Sequence, residues 1–182
     1  VSSNAPFTGE TIEVASTQYR FGGASWTDTG TILLTENDRD TRTTRTWVLD
    51  GRWGEPRKLW DRKQQYTYGD PGNPVLRPGR PTILQVGDAI YLNGSGASAD
   101  GDRPFLDRLN LRTLATERLF RSEGTAYESI VGLLDEGGAR VLTRRETRTQ
   151  PANYFIRDLR AGTEQAVTQF ADRHPQLTKA MA

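Results

Sequence analysis

The feature that most constrains the fold of this chain is a group of four short apolar runs that occurs three times in succession. The first group lies between Tyr19 and Trp60, and turn sequences separate its runs. Gly30 closes a Thr-Asp-Thr-Gly turn, where glycine readily adopts a positive φ. A single sheet of this kind is apolar on both faces, so it requires similar sheets beside it. The predicted strands lie at 24–26, 31–36, 43–49 and 56–60, at 82–86, 89–92, 104–111 and 117–120, and at 128–134, 139–143, 153–159 and 165–168.

The third strand of each group ends in a similar way, and the spacing of these endings gives the repeat length. They read Val48-Leu49-Asp50, Leu109-Asn110-Leu111 and Arg157-Asp158-Leu159. Asn110 and Asp158 are 48 residues apart, whereas Asp50 and Asn110 are 60 apart because a polar insertion intervenes. A period of about 40–50 residues with four strands per unit is typical of β-propeller blades. The sequence therefore predicts an all-β partial β-propeller of about three four-stranded antiparallel blades; an ordinary antiparallel sandwich is the alternative.

The predicted boundaries follow from this repeat. In residues 1–18, Ile12 and Val14 alternate with polar residues, and Gly9-Glu-Thr-Ile12 is similar to the fourth strand of the later groups. This segment is therefore expected to be the last strand of a preceding blade, which makes the chain part of a longer protein. The other expected segments are a blade at 19–60, a polar insertion at 61–81, blades at 82–120 and 121–170, and a linker at 171–182.

Charge and composition narrow the classes of function. Lys and Arg number 24 against 23 Asp and Glu, so the balance gives no reason to expect nucleic acid or a membrane surface as a partner. The chain has no cysteine and one histidine, and we predict neither a metal nor another cofactor. No apolar run has the length of a membrane span, and the first residues lack the pattern of a signal peptide. The cellular compartment stays undetermined.

Three short motifs match catalytic or ligand-binding patterns only in part. Gly94-Ser-Gly96-Ala-Ser-Ala99 fits a dinucleotide fingerprint, but a strand follows where that fingerprint needs a helix, so a hairpin connection is predicted. The acidic run 36–40 lacks the glycine and the final glutamate of a calcium loop. His174 has no nucleophile placed near it by sequence, and no Gly-x-Ser-x-Gly elbow occurs. We therefore predict no hydrolase activity for this chain alone.

Two arginine clusters and two tyrosines are the candidate ligand contacts. Each cluster lies between the second and third predicted strands of a blade, and such loops emerge on the same end of a propeller. The alternative for the arginines is a solvated loop with local ion pairs, for example between Arg145 and Glu146. The tyrosines lie beside a Pro/Gly turn in the insertion and could instead pack that loop down. The candidates are Arg39, Arg42 and Arg45, Arg144, Arg145 and Arg148, and Tyr66 and Tyr68.

Several short sequences, taken together and in order, resemble the prolyl oligopeptidase family of serine peptidases. The resemblance is strongest to its glutamyl endopeptidase branch, known from plant chloroplasts and from bacteria, and it covers nearly the whole chain. The sequences that carry it are 5–10, 19–21, 25–26, 45–47, 68–74 and 170–177. In that family a propeller is followed by an α/β-hydrolase domain that carries the catalytic triad. The triad residues have no matching positions here, and His174 is not the triad histidine.

The resemblance implies a noncatalytic propeller segment that gates or binds peptide substrates for a catalytic domain elsewhere in the parent protein. A branch that cleaves after glutamate needs cations near the substrate side chain, which makes Arg39, Arg42, Arg45, Arg144 and Arg145 candidate substrate contacts. The implied partners are the α/β-hydrolase domain and a peptide substrate. Open propeller edges also favour self-association. The implied location is a plastid, or the periplasm, exterior or cytoplasm of a bacterium. A stand-alone propeller scaffold or binding module is the alternative.

Overall fold

The computed structural model of the chain describes residues 8–50 and 55–181, and the strands in these ranges form three antiparallel sheets. The first sheet contains β1 (Arg20–Trp26), β2 (Ile32–Asp38), β3 (Thr43–Leu49) and β4 (Arg57–Lys63) in that order. The second contains β5 (Asn73–Pro74), β6 (Gln85–Val86), β7 (Ala89–Gly94), β8 (Phe105–Asn110) and β9 (Thr116–Arg121). The third contains β10 (Tyr127–Leu133), β11 (Arg140–Glu146), β12 (Asn153–Asp158) and β13 (Thr163–Ala166). These three successive meanders confirm the predicted all-β fold with blade-like sheets.

The similar endings of the third strands have a shared structural cause. Asn110 Oδ1 accepts hydrogen bonds from the backbone N–H groups of Arg112 and Thr113, both at 2.9 Å. Asp158 Oδ1 accepts from the N–H groups two and three residues further on, at 3.0 and 2.8 Å. Short side chains of this kind stabilise a turn by replacing a backbone acceptor. The repeated Asx residue therefore sets the turn into the fourth strand. The corresponding turn of the first blade, at 51–54, lies outside the described residues.

The second sheet differs from a simple meander along its first edge. Asn73 of β5 pairs with Asn93, and Gln85 of β6 pairs with Ile90, so two short strands share one edge of β7. The expected polar insertion at 61–81 thus contains both the end of β4 and all of β5. Between β5 and β6, Ile83 forms a parallel bridge with Thr27 of the first blade's hairpin. The chain therefore leaves the second sheet and returns to it.

The residues before β1 and after β13 form little regular structure within the described ranges. Ile12 forms a single bridge in place of the expected leading strand, and the part of that segment before residue 8 lies outside the described residues. Val14 and Ala15 pack against the core of the first sheet, which is formed by Ile32, Leu34 and Leu49. At the other end, α1 (Pro175–Met181) lies within the expected linker. No helix among the described residues combines the length and the apolar character needed to cross a bilayer.

The chain divides into two compact units, each with its own core. Residues 1–66 and 79–83 form the first unit, and 67–78 and 84–182 form the second. In the second unit the facing residues of two sheets make one apolar cluster, formed by Leu84, Tyr91, Leu106, Phe120, Ile130 and Val141. Tyr91 also donates a hydrogen bond from its hydroxyl to the carbonyl of Glu136, at 2.9 Å. The second and third blades are therefore packed face to face.

Two glycines in the connection between β7 and β8 are required by close packing. A Cβ at Gly94 would lie 2.6 Å from the ring of Phe105, and one at Gly96 would overlap the carbonyl oxygen of Arg103. Gly96 has a φ of +63°, and its own carbonyl accepts a hydrogen bond from the N–H of Arg103 at 3.0 Å. The two glycines thus allow the two arms of the connection to approach closely, and the strand β8 follows, so the connection is a hairpin, as predicted.

Gly96→Ala is expected to lower the free energy of unfolding by about 3 kcal/mol, because left-handed backbone strain adds to a clash with backbone atoms. Gly124→Ala is the matched control, since Gly124 has the same φ of +63° and open space where a Cβ would stand. The control should lose only about 1 kcal/mol. Urea unfolding followed by circular dichroism measures both losses. If both variants lost the same free energy of unfolding, the atoms around Gly96 would be able to move aside for a Cβ without destabilising the fold.

Candidate ligand-binding site

Arg45 of β3 is engaged in contacts within its own blade. Its Nη2 lies 3.4 Å from Asp38 Oδ2, its Nε lies 3.4 Å from Asp61 Oδ2, and its guanidinium stands over the ring of Tyr19, 4.2 Å from the centroid. Burial acts to lower the pKa of Arg45, but the contacts with Tyr19 and Asp61 outweigh it and raise the pKa above the usual value. The remaining nitrogen, Nη1, is buried. Arg45 is therefore held by groups of its own blade.

Glu36 of β2 lies beneath Arg45 and is 2% exposed. Its Oε2 accepts the N–H groups of Gln18 and Tyr19 at 3.0 and 3.1 Å, and its Oε1 accepts Trp47 Nε1 at 3.2 Å. The carboxylate thus fastens the segment before β1 to the sheet. Among the residues that the structure describes, no group of three or more His, Asp or Glu side chains is placed to hold a metal ion.

The turn between β2 and β3 presents Arg39 and Arg42 to solvent. Asp38 Oδ1 accepts the N–H groups of Asp40 and Thr41, at 3.1 and 3.3 Å, and closes the turn. Hydrogen bonding to Thr41, together with the charge of Arg45, holds the pKa of Asp38 below its usual value. Arg42 has a φ of 51°, the left-handed region that costs a residue with a Cβ about 1–2 kcal/mol. Both arginine side chains are exposed.

Arg39 and Arg42 line a cleft of about 640 Å³ in the first unit, which we term the arginine cleft. Its lining residues are Arg20, Phe21, Gly22, Asn37, Asp38, Arg39, Arg42, Gln64 and Gln65. They come from the start of β1, the end of β2 with its turn, and the residues just after β4. The ends of three strands therefore meet around one cationic opening.

Hydrogen bonds fix one wall of the arginine cleft. Thr44 Oγ1 donates to Asn37 Oδ1 at 2.9 Å, and Gln64 Nε2 lies 3.2 Å from Thr44 Oγ1 and 3.4 Å from Asn37 Oδ1. The backbone N–H of Gln64 also donates to the carbonyl of Arg42, at 2.9 Å. A Cβ at Gly22 would lie 2.6 Å from Asn37 Nδ2, so glycine is needed for the close approach of β1. The cleft is thus formed by a fixed wall below a solvent-exposed arginine turn.

Arg144 and Arg145 of β11, in the second unit, are both held by carboxylates. Arg145 makes two parallel hydrogen bonds to Glu164, at 2.8 and 3.0 Å, and stands over Phe155, 3.9 Å from the ring centroid. Arg144 pairs in the same forked way with Glu146, with both distances 2.9 Å. These hydrogen bonds raise the pKa of each arginine and lower that of Glu164. The pairing of Arg145 with Glu146 considered from sequence was wrong in its partner, because Arg144 takes that carboxylate.

The two tyrosines lie outside the arginine cleft. Tyr66 and Tyr68 are 64% and 47% exposed, and neither is among the lining residues. Of the residues proposed from sequence, Arg39 and Arg42 lie together at this cleft, whereas Arg148 is exposed and does not line it. Sequence reasoning missed Arg20, Phe21 and Gln64, which reach the cleft through strand register. A local signal existed for Arg20 and Phe21, which precede the consecutive glycines Gly22 and Gly23 at a β-bulge.

Comparisons with known proteins show that the chain is similar to a part of two plant proteins. It is 33% identical to a probable chloroplastic glutamyl endopeptidase of Oryza sativa subsp. japonica, over 94% of this chain and 20% of that protein. It is 34% identical to a protein of the same description from Arabidopsis thaliana, over 97% of this chain and 21% of that protein. The chain therefore spans about a fifth of the length of these relatives. No protein-family model matches it.

A comparison of structures addresses the fold alone. A solved structure of oligogalacturonate lyase in complex with manganese is similar to the chain with a TM-score of 0.53. Sequence identity is 12%, and the match covers 90% of this chain and 46% of that one. The likeness supports the propeller-like arrangement of strands into blades, and the resemblance noted from the short sequence motifs is confirmed by the two peptidase relatives.

Proposed function

Because this chain is related over nearly its whole length to a segment of the glutamyl endopeptidases, we propose that it is the noncatalytic propeller segment of a serine peptidase of that type. In this role it binds or gates peptide substrates for a catalytic domain that these residues do not include. The observation that carries the proposal is the identity of 33% and 34% over 94% and 97% of the chain, against about a fifth of each relative. A stand-alone binding module is the second candidate.

Exposed apolar side chains on the third blade favour a binding partner for this part of the chain. Its exposed apolar side chains include Val131 at 51%, Val167 at 53% and Phe170 at 58%. Val131 lies on β10 and the other two follow β13, at the opposite edge of the sheet, and burying either edge against a partner would contribute about 25 cal/mol per Å². The partner that we propose is the α/β-hydrolase domain of the parent protein, and a second copy of the chain is the alternative. A peptide substrate is the other proposed partner.

The chain alone is expected to leave a fluorogenic glutamate-containing peptide intact, because its sequence offers no nucleophile and base pair for acyl transfer. A longer protein that adds the remaining segment of a relative should cleave the same peptide, and a serine-directed inhibitor should stop the cleavage. Release of the fluorophore measures both results. Inhibitor-sensitive turnover by the purified chain alone would contradict a noncatalytic role, and an inactive longer protein would favour the stand-alone module.

A further inference from the structure

We propose that the arginine cleft binds a carboxylate group of an acidic peptide, with Arg39 and Arg42 as the principal contacts and Arg20 as a third cation. The proposal rests on the proposed function, and it names where on this segment an acidic ligand is held. The family resemblance made five of the six clustered arginines candidate substrate contacts, and the structure separates these five. It leaves two of them facing a cleft and engages the other three in internal ion pairs.

The charge of the cleft is positive and uncompensated. Within the described ranges, none of Arg20, Arg39 and Arg42 forms an ion pair with a carboxylate, although each lines the cleft. The one acidic lining residue, Asp38, is 4% exposed and already accepts from two backbone N–H groups and the guanidinium of Arg45. An entering anion therefore meets three cations, while the negative charge of Asp38 is offset by the guanidinium of Arg45. Arginine is suited to this task because its planar fork matches the two oxygens of a carboxylate.

The shape of the cleft suits an extended peptide. It opens beside β1, which lies at one edge of its sheet, and Phe21 on that strand is 60% exposed. An extended chain running along β1 would place apolar groups against Phe21 and a carboxylate over the arginine turn. The side-chain amide of Gln64, held by Thr44 and Asn37, borders the same space. The turn is also fixed before any ligand arrives, because Asp38 and Gln64 hold its backbone, which reduces the ordering cost of binding.

The test measures binding directly and does not depend on peptidase activity. A peptide that contains several glutamates and an amidated C-terminus, labelled with an uncharged fluorophore, is titrated with the chain, and anisotropy is recorded. A second labelled peptide has glutamine in place of glutamate and a free C-terminal carboxylate. Binding of the first identifies side-chain carboxylates as the ligand, and binding of the second identifies the C-terminus. The double variant Arg39→Gln/Arg42→Gln should weaken binding of that peptide about tenfold or more. The reason is that hydrogen bonds between charged groups are stronger than those between neutral groups.

Arg80→Gln/Arg121→Gln is the matched control, because it removes two exposed arginines that lie outside the cleft. It should change the affinity less than about twofold, as expected for surface charges that do not line the cleft and are screened by salt. Arg39→Lys/Arg42→Lys keeps the charge without the fork and should bind with intermediate affinity. Equal losses in the cleft and control variants, or no binding of either peptide, would overturn the assignment. Neither result would contradict the proposed function, which is tested separately by peptide cleavage with the longer protein.

Discussion

Tyr91→Ala is expected to lower the free energy of unfolding of the second unit by about 3–5 kcal/mol, as large aromatic truncations in cores do. Tyr91 is 1% exposed and belongs to the cluster in which two blades meet. A Cβ at Gly138 would lie 2.6 Å from its ring, which shows how closely the third blade approaches. Removing the ring leaves a cavity that fixed sheets fill poorly. Denaturant unfolding followed by circular dichroism measures the loss.

Tyr91→Phe separates the contribution of the ring from that of the hydroxyl. The phenylalanine keeps the packing and loses only the hydrogen bond to the carbonyl of Glu136, so the loss should be about 1 kcal/mol. Burial raises the pKa of Tyr91, so the phenol keeps its proton and remains a donor at neutral pH. If Tyr91→Ala unfolded at the same denaturant concentration as Tyr91→Phe, the ring would not be a packing element between the blades.

The strands that could be predicted from sequence are those that local signals define. Gly30 adopts a φ of +95° in the first hairpin, and Thr27 Oγ1 accepts the N–H of Thr31 at 2.9 Å to close it. Asn110 and Asp158 cap the turns that follow the third strands of the second and third blades. Each of these signals acts within a few residues. The repeat was visible because the same short-range chemistry recurs at the same point of each blade.

The departures from the predicted strands arise from contacts between distant segments. Ile83 pairs with Thr27, more than fifty residues earlier, so the expected strand 82–86 is reduced to Gln85 and Val86. β5 has two residues, Asn73 and Pro74, in a segment with no alternating pattern. Its pairing is fixed by the free edge of β7, which sequence periodicity does not reveal.

The candidate site was predictable only where its residues depend on local structure. The turn that carries Arg39 and Arg42 is a local feature, and their exposure follows from it. The engagement of Arg45 and Arg145 is not local, because Asp61 and Glu164 come from other strands, 16 and 19 residues away. Whether an arginine faces a ligand or an internal carboxylate therefore depended on strand register, which composition and spacing leave open.

The ion pair between a buried carboxylate and a partly exposed arginine in the third blade leads to the second large expected effect. Glu128 is 4% exposed, and its carboxylate accepts Arg157 Nη1 at 2.8 Å and Thr143 Oγ1 at 2.7 Å. Arg157→Met should lower the free energy of unfolding by about 3 kcal/mol, because it leaves a buried carboxylate without its main cation. Arg145 stays 4.0 Å from the same oxygen and limits the loss. Denaturant unfolding at neutral pH measures it.

The double variant Glu128→Gln/Arg157→Met decides whether charge is the cause. Glutamine keeps an acceptor for Thr143 and needs no cation, so the double variant should recover most of the stability lost by Arg157→Met alone. Arg112→Met is the matched control, since Arg112 pairs with Asp88 at 3.3 Å on the surface, with side chains 78% and 54% exposed. Its loss should be less than about 1 kcal/mol. If the double variant were as unstable as Arg157→Met, the lost packing of Arg157 against Phe120, 5.5 Å from the ring centroid, would explain the effect in place of the unpaired charge.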